Sequence, residues 1–159
     1  MLQVKDKQHD YFTSKSWIDD MGRVYAEMEV TSVEDLIMAK KGLLEQTKIR
    51  NAVVRFVVDS GADYLCINEH IKNQLDLTVQ EERSFELADG TEMTFQIAGP
   101  VRIRFANRQT ICNAVVLPGN TDPLLGAIPM EDLDVVIHPR SQTLTVNPEN
   151  PFMAKHFLK

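Results

Sequence analysis

Hydrophobic and polar positions alternate from Arg23 to Val30. Val24, Ala26, Met28 and Val30 fall on one face, and Arg23, Tyr25, Glu27 and Glu29 on the other. Period two over eight residues predicts a half-buried strand. Thr31 or Ser32 is placed to cap a short helix from about Val33 to Lys41, with Asp35 three residues after Ser32 in the position of a capping box. On that reading Leu36, Ile37 and Leu43 face inward, and Gly42 ends the helix. Thr47 to Val58 is rich in β-branched residues and predicts a central strand running into a turn at Asp59-Ser60-Gly61-Ala62. Leu65-Cys66-Ile67 reads as a short buried strand. Asn68 then caps a helix through Gln74, with Ile71 and Leu75 at helical spacing.

Ser84 to Leu87 is extended and meets Ala88-Asp89-Gly90-Thr91, where Asp-Gly predicts a type I′ hairpin turn. Met93 to Ile97 returns from it. Val101 to Phe105 alternates as a further strand, Asn107-Arg108 turns, and Thr110 to Leu117 answers. Glu81-Glu82-Arg83 reads as a solvated loop. After Pro118-Gly119-Asn120 comes Leu124-Leu125-Gly126, a buried apolar pair ending in glycine. Pro129 suits the first turn of a helix through Leu133. Asp134 to Ile137 and Thr143 to Val146 form a last hairpin, with His138 in its turn. The sum is mainly β with two or three short helices, a small barrel or folded-over sheet. There is no internal repeat. Three segments are expected: a polar N-terminal arm (1–20), one folded domain (21–150) and a C-terminal tail (151–159) draped over the surface.

Composition narrows the class. The 159 residues are 43% hydrophobic and 25% charged, as in an ordinary globular domain. Seventeen Lys and Arg against 23 Asp and Glu give a net charge of −6. That disfavours nucleic acid, which needs a basic face. No apolar run approaches the ~20 residues of a membrane helix, and the first residues lack the apolar core of a secretory signal. Cys66 and Cys112 lie far apart, and the four histidines show no ligand spacing, so neither a disulfide framework nor a metal site is expected. Both cysteines read as small buried hydrophobes. The expectation is a cytoplasmic protein with no cofactor, no nucleic-acid partner and no membrane.

One constellation carries chemistry. The apolar strand Phe56-Val57-Val58 delivers Asp59-Ser60-Gly61-Ala62 at a turn. A carboxylate at the end of such a strand is partly desolvated, and glycine beside it lets backbone approach a ligand. Asp-[Ser/Thr]-Gly alone arises by chance in roughly one chain of this length in fifteen, and a turn aspartate that caps a backbone N–H is the simpler reading. Context separates the two: an apolar strand before it, an Asp-Gly hairpin after it, then Leu-Leu-Gly ahead of a short helix.

This order resembles the retropepsin-like aspartic proteases, which carry one aspartate motif per chain, and among them the small bacterial and archaeal members. The matching segments are Met21 to Glu27, Asp59 to Ala62, Ala88 to Gly90, Leu124 to Gly126 and Asp134 to Pro139. The resemblance implies a mainly β, retropepsin-like acid-protease half-barrel with short helices, active as a symmetric homodimer. Asp59 would be the catalytic carboxylate, and Ser60 would interlock the two active-site loops. Gly61 and Ala62 would line the floor. Leu87, Ala88, Asp89, Gly90 and Thr91 would form a flap tip over a peptide or protein substrate. Leu124 to Gly126 would thread behind the catalytic loop.

Peptide hydrolysis of this kind needs two carboxylates sharing one proton, because like charges about 3 Å apart cannot both ionise. No second Asp-[Ser/Thr]-Gly exists in the chain, and Asp89 and Asp134 sit in different surroundings. Two copies of Asp59 on a two-fold axis would supply the pair. Two positions depart from the family pattern. Ser60 stands where many members have threonine, keeping the hydroxyl and losing a methyl. Ala62 has no hydroxyl to give the dyad, which points to a less acidic optimum than a pepsin-type loop. Substrate pockets are expected to be mostly apolar. Two other readings stay open: a retropepsin-fold dimerisation or peptide-binding module with little or no turnover, and a narrow processing enzyme. A leader within residues 1–20, removed by self-cleavage, is a further expectation.

Overall fold

The computed structural model describes residues 22–158. The expected arm and its self-cleavage lie outside the described residues. The elements follow the hydrophobic pattern closely at first. Strand β1 (Val24–Ser32) buries Val24, Ala26, Met28 and Val30. It runs antiparallel to β2 (Asn51–Val58), with Val24 opposite Val58 and Met28 opposite Val54. Phe56 and Val58 of β2 join the same core.

Ser32 caps helix α1 (Val33–Lys40), its hydroxyl accepting the Asp35 N–H at 3.2 Å. The reciprocal half of the capping box is replaced. The Asp35 carboxylate accepts from Arg50 N–H at 2.9 Å, while Ser32 N–H donates to the Arg50 carbonyl. Gly42, at φ +75°, ends the helix, with Gly42 and Leu43 N–H donating to the carbonyls of Ala39 and Met38. The expectation that Ile37 and Leu43 face inward is wrong, since they are 46% and 68% exposed. The two-turn helix is anchored through its first turn, at Val33 and Asp35, so its later residues project away. The strand expected from Thr47 starts at Asn51, because Gln46–Lys48 form a 3-10 turn.

Strand β3 (Leu65–Asn68) leads into α2 (Glu69–Gln74), where the Asn68 side chain accepts the Ile71 N–H at 2.9 Å. Ile71 and Leu75 are buried as expected. Next come β4 (Val79–Glu86) and β5 (Glu92–Phe105). Glu81-Glu82-Arg83 is part of β4 rather than a loop: an edge strand keeps exposed charges, and Arg83 pairs with Glu81 at 2.8 Å. Val101 to Phe105 is the second half of β5 rather than a separate strand. A bulge between Ala98 and Val101 absorbs Gly99 and Pro100, as a strand paired on both sides requires of an internal proline. The following turn is at Ala106-Asn107, with Ala106 at φ +53°, and Arg108 already opens β6 (Arg108–Leu117).

Strand β7 (Leu124–Leu125), helix α3 (Ala127–Leu133) and the hairpin β8 (Val135–His138) and β9 (Thr143–Val146) complete the chain. His138 ends β8 rather than sitting in the turn, and bonds the Thr145 hydroxyl at 2.8 Å. The main sheet runs β1-β2-β7-β3-β6-β5-β4, and β1 also pairs with β5. That extra pairing, Glu29 opposite Arg104 through Ser32 opposite Val101, closes six strands into a ring around the core. Only β4 projects, carried on the first half of β5. The fold is mainly β with short helices, as expected.

Candidate active site

Asp59 sits at the end of β2, directly after the buried Val58. The chain turns at once: Ala62 N–H donates to the Asp59 carbonyl at 3.1 Å, and Gly61 N–H donates to Asp59 Oδ1 at 2.9 Å. One carboxylate oxygen is thus oriented by the backbone two residues on, as in an Asx-turn. A Cβ on Gly61 would stand 3.2 Å from that same oxygen, so any side chain there crowds the carboxylate. Ser60 and Gly61 are exposed, Asp59 and Ala62 half-buried. Among the described residues the Ser60 hydroxyl finds no partner within the chain.

The loop is gripped from behind. Strand β7 runs parallel to β2 and antiparallel to β3, so Leu124 and Leu125 are wedged between the two arms of the loop. Asp59 N–H donates to the Leu125 carbonyl at 3.0 Å, and Val57 N–H to the Pro123 carbonyl at 2.9 Å. From the other side, Ala127 and Ile128 N–H donate to the carbonyls of Ala62 and Asp63 at 2.7 and 3.0 Å. Gly126 is required at the crossing: a Cβ there would lie 2.5 Å from the Tyr64 carbonyl oxygen. Leu124 to Gly126 therefore thread behind the Asp59 loop, and the loop's backbone is held at both ends.

The β4–β5 hairpin leans on this loop. Phe85 packs edge-on against Tyr64, with ring centroids 5.8 Å apart, and against Phe95 at 5.9 Å. Its tip closes through Leu87 N–H to the Thr91 carbonyl at 2.7 Å and Gly90 N–H to the Leu87 carbonyl at 2.9 Å. Only Gly90 has positive φ, so the expected type I′ turn is instead a three-residue loop, because Asp89 bonds forward to Thr91. The Thr91 hydroxyl, at 2.6 Å, and its N–H hold the Asp89 carboxyl below the usual range.

Asp134 is likewise committed. Asn147, the Lys155 N–H, Asn150 and Arg108 hold its carboxyl low. Each of the two other candidate carboxylates thus serves its own turn. Cys66, beside the loop, has its thiol pushed up to about 11 by burial and then by the Asp59 charge; burial does the same to Cys112.

A pocket of about 340 Å³ opens against Asp59. Beside Leu124 of the Leu-Leu-Gly segment, its lining brings in Arg23, Thr121 and Asp122, none of which stands out in the sequence as a site residue. Arg23 becomes adjacent only because Val24 pairs with Val58, and Asp122 only because Leu124 pairs with Val57. None of Leu87, Ala88, Asp89, Gly90 and Thr91 lines this pocket. Their link to the loop runs through Phe85 and Tyr64.

Residues 46–129, more than half of the chain, match the family described as aspartyl protease, and the chain belongs to that family. Together with the single aspartate loop, this bears out the retropepsin-like recognition. Among solved structures, the chain is similar to the retroviral protease-like domain of Ddi1 from Leishmania major. The two share 16% identity at a TM-score of 0.49, over 79% of this chain and 89% of that one. No curated protein matches the sequence.

Proposed function

We propose that the protein is an aspartic endopeptidase working as a symmetric homodimer, with the two Asp59 carboxylates sharing one proton on the two-fold axis. The observation that carries this reading is the state of Asp59. It is aimed by Gly61 N–H, gripped from behind by β7 and half-exposed beside a pocket, and its chain carries no second Asp-[Ser/Thr]-Gly. The ionised acid takes a proton from water, which attacks the scissile carbonyl. The protonated acid polarises that carbonyl and then feeds the leaving amine. The two acids titrate as a pair, so neither has a private pKa.

Ser60, exposed and with no hydrogen-bond partner among the described residues, meets its counterpart loop in the dimer. Gly61 and Ala62 form the floor, and Leu87 to Thr91 close over the substrate. The substrate itself is an extended peptide paired through its backbone like an added strand. No metal or organic cofactor is required by this chemistry. Among the described residues no helix is long and apolar enough to cross a membrane, and we place the enzyme in the cytoplasm.

The test is a diverse peptide library digested across pH 3–8 by the wild-type protein and by Asp59→Asn, with cuts read by mass spectrometry. Cleavage that falls at least about a hundredfold in the variant is expected, the scale of a lost general acid or base. A dimer that binds peptides equally well in both forms and cuts none would favour the binding module instead.

A further inference from the structure

The pocket against Asp59 is two-faced. Its lining combines apolar Val57, Val58 and Leu124 with polar Arg23, Thr121 and Asp122. Arg23 Nη1 stands 3.7 Å from Asp122 Oδ2, close enough to attract but beyond hydrogen-bond reach. Among the described residues no hydrogen bond reaches the Asp122 carboxylate, and its side chain is 49% exposed. It therefore keeps acceptor capacity for a ligand. Both charged residues are fixed by backbone: Arg23 precedes β1 where Val24 pairs with Val58, and Asp122 lies two residues before Leu124, which pairs with Val57.

We propose that this pocket selects, beside the scissile bond, a long side chain with an apolar stem and a neutral hydrogen-bond donor at its tip, tyrosine above all, with Asp122 as the acceptor. The inference rests on the proteolytic reading above. The apolar lining rewards any large apolar stem through buried area, so it favours phenylalanine and tyrosine alike. The polar lining separates them, because only the phenol can donate to Asp122. Among the described residues the lining carries two carboxylates, Asp59 and Asp122, and one guanidinium, Arg23, a net negative balance that disfavours aspartate and glutamate. A lysine tip would reach Asp122 only beside Arg23, a like charge. Asp122 is the specificity-determining residue, and Arg23 positions it. In a symmetric dimer two copies of the pocket flank the cut, so the preference holds on both sides of it.

The test uses the full chain and peptides identical except for Tyr, Phe or Glu next to the cut. Two readouts are taken: kcat/KM with the wild type, and dissociation constants by fluorescence anisotropy with Asp59→Asn. Tyr over Phe by roughly five- to tenfold is expected in both, the scale of a bond to a charged but half-exposed acceptor. Glu falls well below Phe. In Asp122→Ala the Tyr-to-Phe ratio drops to about one, and Asp122→Asn, which keeps one acceptor oxygen, lies between. Equal Tyr and Phe in both wild-type cleavage and Asp59→Asn binding overturns the assignment, whatever the Asp122 variants do. A Tyr preference in binding without any cleavage leaves the pocket assignment standing and removes the proteolytic reading. Absence of peptide binding and of cleavage overturns both.

Discussion

At the residue scale, two glycines do opposite work around one carboxylate. Gly61 keeps space in front of Asp59, and Gly126 keeps space behind its loop. A methyl at Gly126 would meet backbone atoms of Asp63 and Tyr64, which cannot swing aside as a side chain can. Gly126→Ala is expected to cost about 1–3 kcal/mol, the range for overpacking a tight interior, read from urea denaturation. An unchanged midpoint would show that the crossing is looser than the structure gives it. Asp59 itself was legible in the sequence because its motif, its strand and the later Leu-Leu-Gly are ordered along the chain. Arg23 and Asp122 were not legible, since their approach depends on two strand pairings and on no local pattern. Ile37 and Leu43 misled for the converse reason: they fit a helical stripe, but the helix meets the barrel only through its first turn.

At the element scale, the β4–β5 hairpin leans on the segment after Asp59 through Tyr64, which meets Phe85, backed by Phe95, and lies beside the Arg83 guanidinium. An aromatic pair of this kind contributes about 0.5–1.5 kcal/mol. Phe85→Ala should therefore raise KM several-fold and speed amide exchange at Leu87 to Thr91, with the barrel core unchanged. Unaltered exchange at the tip would show that the hairpin is held by something else.

The C-terminal elements are fastened differently. Arg108 is fully buried at the start of β6, donates to the Asn150 and Asp134 carbonyls, and stands 3.9 Å from the Asp134 carboxylate. The hairpin of β8 and β9 was plain in the sequence, but this polar knot was not, because its members span Arg108 to Lys155. Asp134→Ala should cost on the order of 3 kcal/mol, as expected when a buried cation loses its partner. The Asp134 carboxyl titrates below its unfolded value near 3.9. Its stabilisation is therefore complete above about pH 4 and is lost as pH falls through the folded value. The gap in stability between wild type and Asp134→Ala should close below about pH 4, as followed by denaturation at a series of pH values. A gap independent of pH would mean that packing, not charge, is what the substitution removes.

At the scale of the whole molecule, the pairing of β1 with the second half of β5 turns a sheet into a closed ring. Alternation predicted both segments as strands. It did not predict that residues 92–105 form one bent strand serving β4, β6 and β1 in turn, because the bulge that bends it reads locally as a break. What the closed ring presents at Asp59 is one Asp-Ser-Gly carboxylate: Asp89 and Asp134 are bound to their own turns, and Asp122, in the same pocket, stands against Arg23 at 3.7 Å. The account therefore stands on a dyad shared between two chains. Subunit mixing tests it most directly: wild type is allowed to exchange with increasing Asp59→Asn at fixed total protein, and cleavage of one peptide is followed. If each site needs Asp59 from both chains, activity falls as the square of the wild-type fraction. A fall in direct proportion to that fraction would mean that each chain works alone, and would contradict the shared dyad.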